Sequence, residues 1–251
     1  AGGMGHVHVG NLIQLEEVQI VAICDTNLEK AQELCGKTGA AAYSDFDRML
    51  EEAEMEVLYI LLPPFAQNGQ FEKAAEKGIH IFIEKPIAIT SSRGKSMVDA
   101  ARKSGIKTQV GFHMRYGSAV QKLRDMVERK KAGRPVLFNG RYQCNALHAP
   151  WWRDVNLCGG QIFEQAIHVY DICRYLYGHP KAVSAFVGNV CHGDVPGYTV
   201  EDVSVSASTF TTGAQVAITA NNCSVPGRWD ALFDAVFELS LIHISEPTRP
   251  Y

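Results

Sequence analysis

Lys85 follows directly on an apolar run and stands between Glu84 and Pro86. A lysine just past a strand end of a doubly wound sheet lies on the edge where such sheets bind ligands, and a following proline restricts its backbone. Glu164 and His168 are four residues apart, a spacing that puts both on one helix face. Removing hydride from a secondary alcohol needs a group to take the hydroxyl proton, and histidine is the usual choice. A lone helical histidine is more often packed or solvated than basic. Here a carboxylate shares its face, and Gly159-Gly160 upstream would let a substrate approach the helix start. Trp151, Trp152 and Arg153 lie in the loop before them, a set suited to stacking on a sugar ring and gripping its polar groups, or to plugging an interdomain seam.

A second constellation opens the chain. Gly2 and Gly5, in Ala1-Gly2-Gly3-Met4-Gly5-His6, fit the second and third glycines of a G-x-G-x-x-G dinucleotide turn whose first glycine would lie one residue before Ala1. In that reading Gly2 lets the backbone approach a pyrophosphate, Gly5 lets the helix pack on the sheet, and the helix N-terminus donates N–H groups to the phosphates. Asp25 ends the next apolar run twenty positions after Gly5, where its carboxylate could accept from both ribose hydroxyls. An Asp there repels a 2′-phosphate, and no Arg follows in Thr26-Asn27-Leu28, which favours NAD and leaves NADP open.

These residues need elements to hold them. Val18–Cys24, Val57–Leu62, Ile79–Ile83 and Lys107–Phe112 read as apolar strands. Helical segments at 27–35, 45–52, 71–77 and 91–104 separate them, several ending at a glycine. Strands apolar throughout and alternating with amphipathic helices specify a doubly wound parallel sheet. After Gly117 the pattern changes: a charged helix over 119–131 (its basic cluster read as a solvated face), a strand over 135–145, a strong amphipathic helix over 160–177, then strands over 183–190, 203–211 and 215–223. Strands that no longer alternate with helices indicate an α+β domain on a mostly antiparallel sheet.

Composition narrows the classes. The chain has 251 residues, 46% hydrophobic and 20% charged, with a net charge of −3. That balance argues against a nucleic-acid binder, and no apolar run reaches membrane-span length. Seven cysteines without a C-x-x-C read as reduced, mostly buried thiols of a cytoplasmic protein, with no metal site.

Together these residues resemble the Gfo/Idh/MocA family of NAD(P)-dependent oxidoreductases, which includes inositol and sugar dehydrogenases. The resemblance runs from Ala1 to about Phe237 and rests on AGGMGHVH, ICDTN, LLPP, the Glu84-Lys85-Pro86 triplet, VGFHMRY at 110–116, WWRD, and GGQIFEQAIHVYD at 159–171. It implies a Rossmann domain over 1–116 and an α+β substrate and oligomerisation domain over 117–238, whose sheet makes a homo-oligomer. It implies cofactor contacts from Gly2, Gly3, Met4, Gly5, Asp25, Pro63, Glu84 and Lys85. Substrate contacts fall to Arg115, Trp151, Trp152, Arg153, Glu164 and His168. The catalytic set would be Lys85, His168 and Glu164: Lys85 would steady a developing alkoxide and His168, paired with Glu164, would be the acid/base, although Lys85 could take the proton instead. The family often carries Asp where this chain has Glu164, so substrate identity does not carry over.

Two rival readings share the fold: a glycosidase using NAD in a transient oxidation, and a non-catalytic sugar or nucleotide sensor, which would not need Lys85 and His168. Finally, Leu239–Arg249 reads as a translated transposon-based sequencing adapter, so 239–251 is expected to be foreign, to pack poorly and to lie outside the fold. By comparison with the family, the first strand of the first domain and later strands of the second are then missing, and the bare chain is expected to be unstable or to aggregate.

Overall fold

A computed structural model describes residues 1–248. The chain divides between Gly111 and Phe112. Residues 112–116, read from the sequence with the first domain, therefore belong with the second.

The first unit runs α1 (Gly3–Leu12), β1 (Ala22–Cys24), α2 (Leu28–Thr38), β2 (Ala41–Tyr43), α3 (Phe46–Glu52), β3 (Val57–Ile60), α4 (Gln70–Glu76), β4 (His80–Ile83), α5 (Ser91–Ser104) and β5 (Thr108–Val110). Its helices start where short polar side chains satisfy the first N–H groups. Asn27 accepts from Glu29 and Lys30, Asp45 from Arg48, and Thr90 from Arg93. Gly39 and Gly105 stop α2 and α5 at φ +75° and +67°. All strand pairs are parallel, but the sheet is in two pieces, β1-β2 and β3-β4-β5. β1 and β3 are each edge strands. The strand read over 18–24 shortens to Ala22–Cys24, and Val18 is exposed. Two cores result: Val9, Ile23, Ala31 and Leu34 around β1, and Leu58, Ile60, Phe71, Ile81, Ile83 and Met97 around β4.

The second unit contains α6 (Ser118–Glu128), β6 (Pro135–Gln143), α7 (Val155–Cys158), α8 (Ile167–Tyr177), β7 (Pro180–Gly188), β8 (Val203–Phe210), β9 (Gln215–Asn221), β10 (Trp229–Phe237) and β11 (Ser240–Thr248). The helix expected over 160–177 is not uniform, since 162–166 form a wide i→i+5 turn before α8 begins. The sheet order is β11-β10-β6-β9-β8-β7, antiparallel except for β6 beside β9. Alternation sets its faces: Phe138, Gly140 and Tyr142 of β6 and Val216, Ile218 and Ala220 of β9 are buried, and their neighbours along each strand are less so. α8 joins this core through Val169, Ile172, Cys173, Leu176 and Tyr177. The Tyr177 hydroxyl lies 2.8 Å from the Leu137 carbonyl and 3.0 Å from that of Val236, tying α8 to β6 and β10. Burial pushes its phenol up.

The segment after Phe237 departs from expectation. Ser240–Thr248 extends the sheet as its outermost strand, in register with β10 from Phe237↔Ser240 to Trp229↔Thr248, and Ile244 is buried. An open β10 edge presents unpaired N–H and C=O groups, which recruit an extended segment whatever its origin. Residues 249–251 of that tail lie outside the described residues. All seven cysteines are free thiols. Cys35, Cys144, Cys158 and Cys173 are buried, Cys24 and Cys223 half-buried, and Cys191 exposed. Among the described residues no helix is long and apolar enough to cross a membrane.

Candidate functional site

In the first unit the glycine turn opens α1. Gly2 is the N-cap and offers no side-chain hydrogen bond, so the N–H groups at Gly3, Met4 and Gly5 have no side-chain cap. Nothing lies within 4 Å of where a Cβ would stand on Gly2 or Gly3. This bare, uncapped helix start fits a phosphate. Gly5 is buried, but a Cβ there would meet Leu34 at 3.6 Å, an ordinary contact with α2.

Asp25 follows β1, and its carboxylate accepts from the Ala1 α-ammonium (2.7 Å) and the Asn27 N–H (2.9 Å). Burial draws its pKa up, and those bonds outweigh it, holding the carboxyl below its ordinary value. Pro63 lies just past β3 and leads into a short 3₁₀ turn over Pro64–Ala66.

Glu84, Lys85 and Pro86 follow β4, with a cis peptide before Pro86. The Glu84 carboxylate binds His8 Nε2 at 2.8 Å and accepts the Lys85 N–H at 3.1 Å. His8 in turn packs edge-on to Phe82 and Tyr59, with centroids 5.0 and 5.6 Å away. Sequence reasoning missed His8, since nothing in α1 announces a partner 76 residues on. Room for this carboxylate comes from Gly111, where a Cβ would stand 2.7–2.8 Å from its three terminal atoms. Gly111→Ala is therefore expected to push Glu84 off His8 and to destabilise the protein by about 1–3 kcal/mol, measured by urea unfolding.

In the second unit the wide turn and α8 present Glu164, His168 and Asp171 on the buried side, at 4%, 7% and 8% exposure. The His168 ring lies 4.6 Å from that of His113 and 6.3 Å edge-on from Phe112. Asp171 holds Arg115 through both carboxylate oxygens, Nε at 2.6 Å and Nη2 also bonded. The Arg115 guanidinium also stacks over Phe112 and Tyr175 at 5.3 and 4.9 Å. Arg115, expected at the substrate, is thereby committed to anchoring 112–116 against α8. The glycine pair also finds a different use. A Cβ on Gly160 would stand 2.4 Å from a Glu201 carboxylate oxygen, and that carboxylate accepts the Ile162 N–H at 2.8 Å.

Trp151, Trp152 and Arg153 form a 3₁₀ turn, all half-buried. Trp152 packs on His148 with centroids 3.9 Å apart, and Trp151 meets Trp152 edge-on at 6.5 Å. Arg153 donates to the carbonyls of Leu147 (2.8 Å) and His148 (3.0 Å), so its charge stabilises the loop itself. A buried polar chain, invisible in the sequence, backs this loop. The Gln165 amide donates to His148 Nε2 at 2.9 Å, and the single proton of the Cys144 thiol is shared between Gln165 Oε1 and Asn222 Oδ1, at 2.9 and 3.1 Å. Burial pushes the Cys144 thiol up to about 12, which keeps it a neutral donor. Through Gln165 the aromatic loop is connected to the turn that carries Glu164.

Known proteins share this fold. Residues 1–112 match the family model described as "Oxidoreductase family, NAD-binding Rossmann fold", and residues 120–240 match the C-terminal domain of the same family. A scyllo-inositol 2-dehydrogenase (NAD(+)) of Bacillus subtilis is 27% identical over 179 residues, 70% of this chain and 52% of the relative. A D-glucoside 3-dehydrogenase of Escherichia coli is 30% identical over 185 residues, 71% of this chain and 53% of the relative. The chain thus spans about half the length of the curated relatives it matches. Among solved structures, the WlbA dehydrogenase of Bordetella pertussis superposes with a TM-score of 0.89 at 24% identity, covering 98% of this chain and 77% of that one. With both domains matched in order, the chain belongs to the Gfo/Idh/MocA family of oxidoreductases.

Proposed function

We propose that the protein is an NAD(P)-dependent oxidoreductase moving hydride between a secondary alcohol of a sugar, inositol or related polyol and nicotinamide. The observation that carries this reading is the buried His168, set against His113 and Phe112, with Glu164 buried four residues before it. NAD, when bound, supplies the hydride acceptor. The α1 N-terminus takes its phosphates and Asp25 its ribose, an acid that disfavours a 2′-phosphate. His168 accepts the proton of the reacting hydroxyl, and the Glu164 carboxylate, four residues before it, would stabilise the imidazolium that results. Lys85, its backbone anchored on Glu84, steadies the developing alkoxide. Trp151 and Trp152 offer apolar ring faces to the substrate. The relatives named as scyllo-inositol and D-glucoside dehydrogenases support a cyclic polyol or sugar as the substrate class.

The test is a panel of inositols, hexoses and sugar acids with NAD, read by absorbance of the reduced cofactor. Oxidation of at least one ring alcohol is expected. Product formed without net reduced cofactor would instead indicate transient oxidation in a glycosidase, and ligand binding without turnover would indicate a sensor.

We further propose that the outer face of the second-unit sheet pairs with a second copy. Phe186 of β7 lies opposite Val205 of β8, and they are 81% and 49% exposed. Adjacent large apolar side chains so exposed mark an association surface. Phe186→Asp is expected to shift the protein towards monomer in sedimentation velocity.

A further inference from the structure

Of the seven free cysteines, four are buried, Cys24 and Cys223 are half-buried, and Cys191 alone is exposed. Cys191 lies in the loop after β7, and Cys223 lies just past the end of β9. Both loops are fixed by Asp202, which is fully buried. Its carboxylate accepts the backbone N–H groups of Val190 (2.7 Å), Cys191 (2.7 Å) and His192 (2.8 Å). Its own N–H donates to the Gly188 carbonyl (3.0 Å), and its carbonyl accepts from Asn222 (2.7 Å). His192 Nε2 closes the arrangement by donating to the Asn222 carbonyl at 2.9 Å. One aspartate therefore pins 188–192 and 222–223 side by side, which makes Cys191 and Cys223 neighbours across the two loops.

We propose that Cys191 and Cys223 form a reversible disulfide that locks the loop after β7 onto the end of β9. The oxidant is a hydroperoxide. The exposed Cys191 thiolate attacks the peroxide, so an S–O bond forms, the O–O bond breaks, and the departing oxygen leaves protonated, as water from hydrogen peroxide. The sulfur of Cys223 then attacks that of Cys191. The S–S bond forms, the S–O bond breaks, and hydroxide leaves with the Cys223 proton as water. Two electrons pass from the thiols to the peroxide, and a dithiol reductant returns both. The order of attack follows from the environments, since burial and the neighbouring Cys191 push the Cys223 thiol up to about 11. Of the other five thiols, four are buried.

The lock has a reader. Asn222, next to Cys223, accepts from the Cys144 thiol and from the Ala146 N–H, and so feeds the polar chain through Gln165 to His148. The pairing rests on the loop geometry and is independent of the assigned activity.

The experiment treats the reduced protein with a small excess of hydrogen peroxide, unfolds it, alkylates it and maps the peptides without reductant. Alkylatable thiols should fall from seven to five, with one cross-linked peptide joining Cys191 to Cys223 that dithiothreitol abolishes. Cys191→Ser and Cys223→Ser should each lose that peptide. Cys191 and Cys223 both remaining alkylatable, either one ending as a sulfinic acid, or either paired with another cysteine would overturn the proposal.

Discussion

Lys85→Met should lower kcat by about 10²–10³-fold while leaving circular dichroism and the unfolding midpoint near those of the parent. Removing one preorganised donor from a developing oxyanion typically costs that much. Lys85 is half-buried, and its backbone N–H is already anchored on Glu84, so a side-chain change at the tip leaves the β4 terminus in place. His168→Asn should cost about 10²–10⁴-fold, the usual contribution of a positioned base. A pH profile then separates the roles. With histidine as the base, kcat/KM falls on acidification as the ring protonates. That acidic limb should survive in Lys85→Met and vanish in His168→Asn. A limb that vanishes in Lys85→Met and persists in His168→Asn would give the proton to the lysine. Turnover unchanged in both variants would remove both residues from the site.

The parts of this site that the sequence shows are the local ones. Glu164 and His168 are four apart, and a four-residue spacing survives even the wide turn between 162 and 166, so both still lie on the buried side. Asn27 and Asp45 cap their helices from within two or three residues, and Gly105 ends α5 at φ +67°. What the sequence withholds is every partner brought from far along the chain. Arg115 meets Asp171 across 56 residues, His8 meets Glu84 across 76, and Asn222 meets Cys144 across 78. None of these pairings is visible locally, because each partner is chosen by the fold. The same holds for elements. β2 is the three-residue Ala41–Tyr43, alanine-rich and a strand only because β1 lies beside it. β10 alternates Ala231, Phe233, Ala235 and Phe237 towards the core. Leu232 and Val236 on its other face blur the period, and no strand is evident before the pairing with β6 is seen.

Gly140→Val should be the most damaging single change in the second unit, and Gly140→Ala the informative one. A Cβ at residue 140 would stand 2.5 Å from Val169 Cγ1 and 2.8 Å from Phe138 Cε1, with Ile218 Cγ1 at 3.4 Å. Val169, Phe138 and Ile218 are all buried with at most 1% exposure, so none can swing into solvent. The strain must move either β6 or α8, and overpacking of this kind costs about 1–3 kcal/mol for a methyl and more for a branched side chain. Val169 follows His168 directly, so lifting α8 also displaces the ring from His113 and Phe112. Gly140→Ala should therefore lower both the urea midpoint and kcat. Val169→Ala removes the closest methyl, leaves a cavity when made alone, and should restore part of both losses in the double variant. The cycle would give an interaction energy of opposite sign to the single effects, as expected for residues in direct contact. Strict additivity, or a Gly140→Ala protein that unfolds at the parent's midpoint, would mean that α8 does not seat on β6 at this glycine. The position of His168 would then have to be set from the other end, by Arg115 and Asp171.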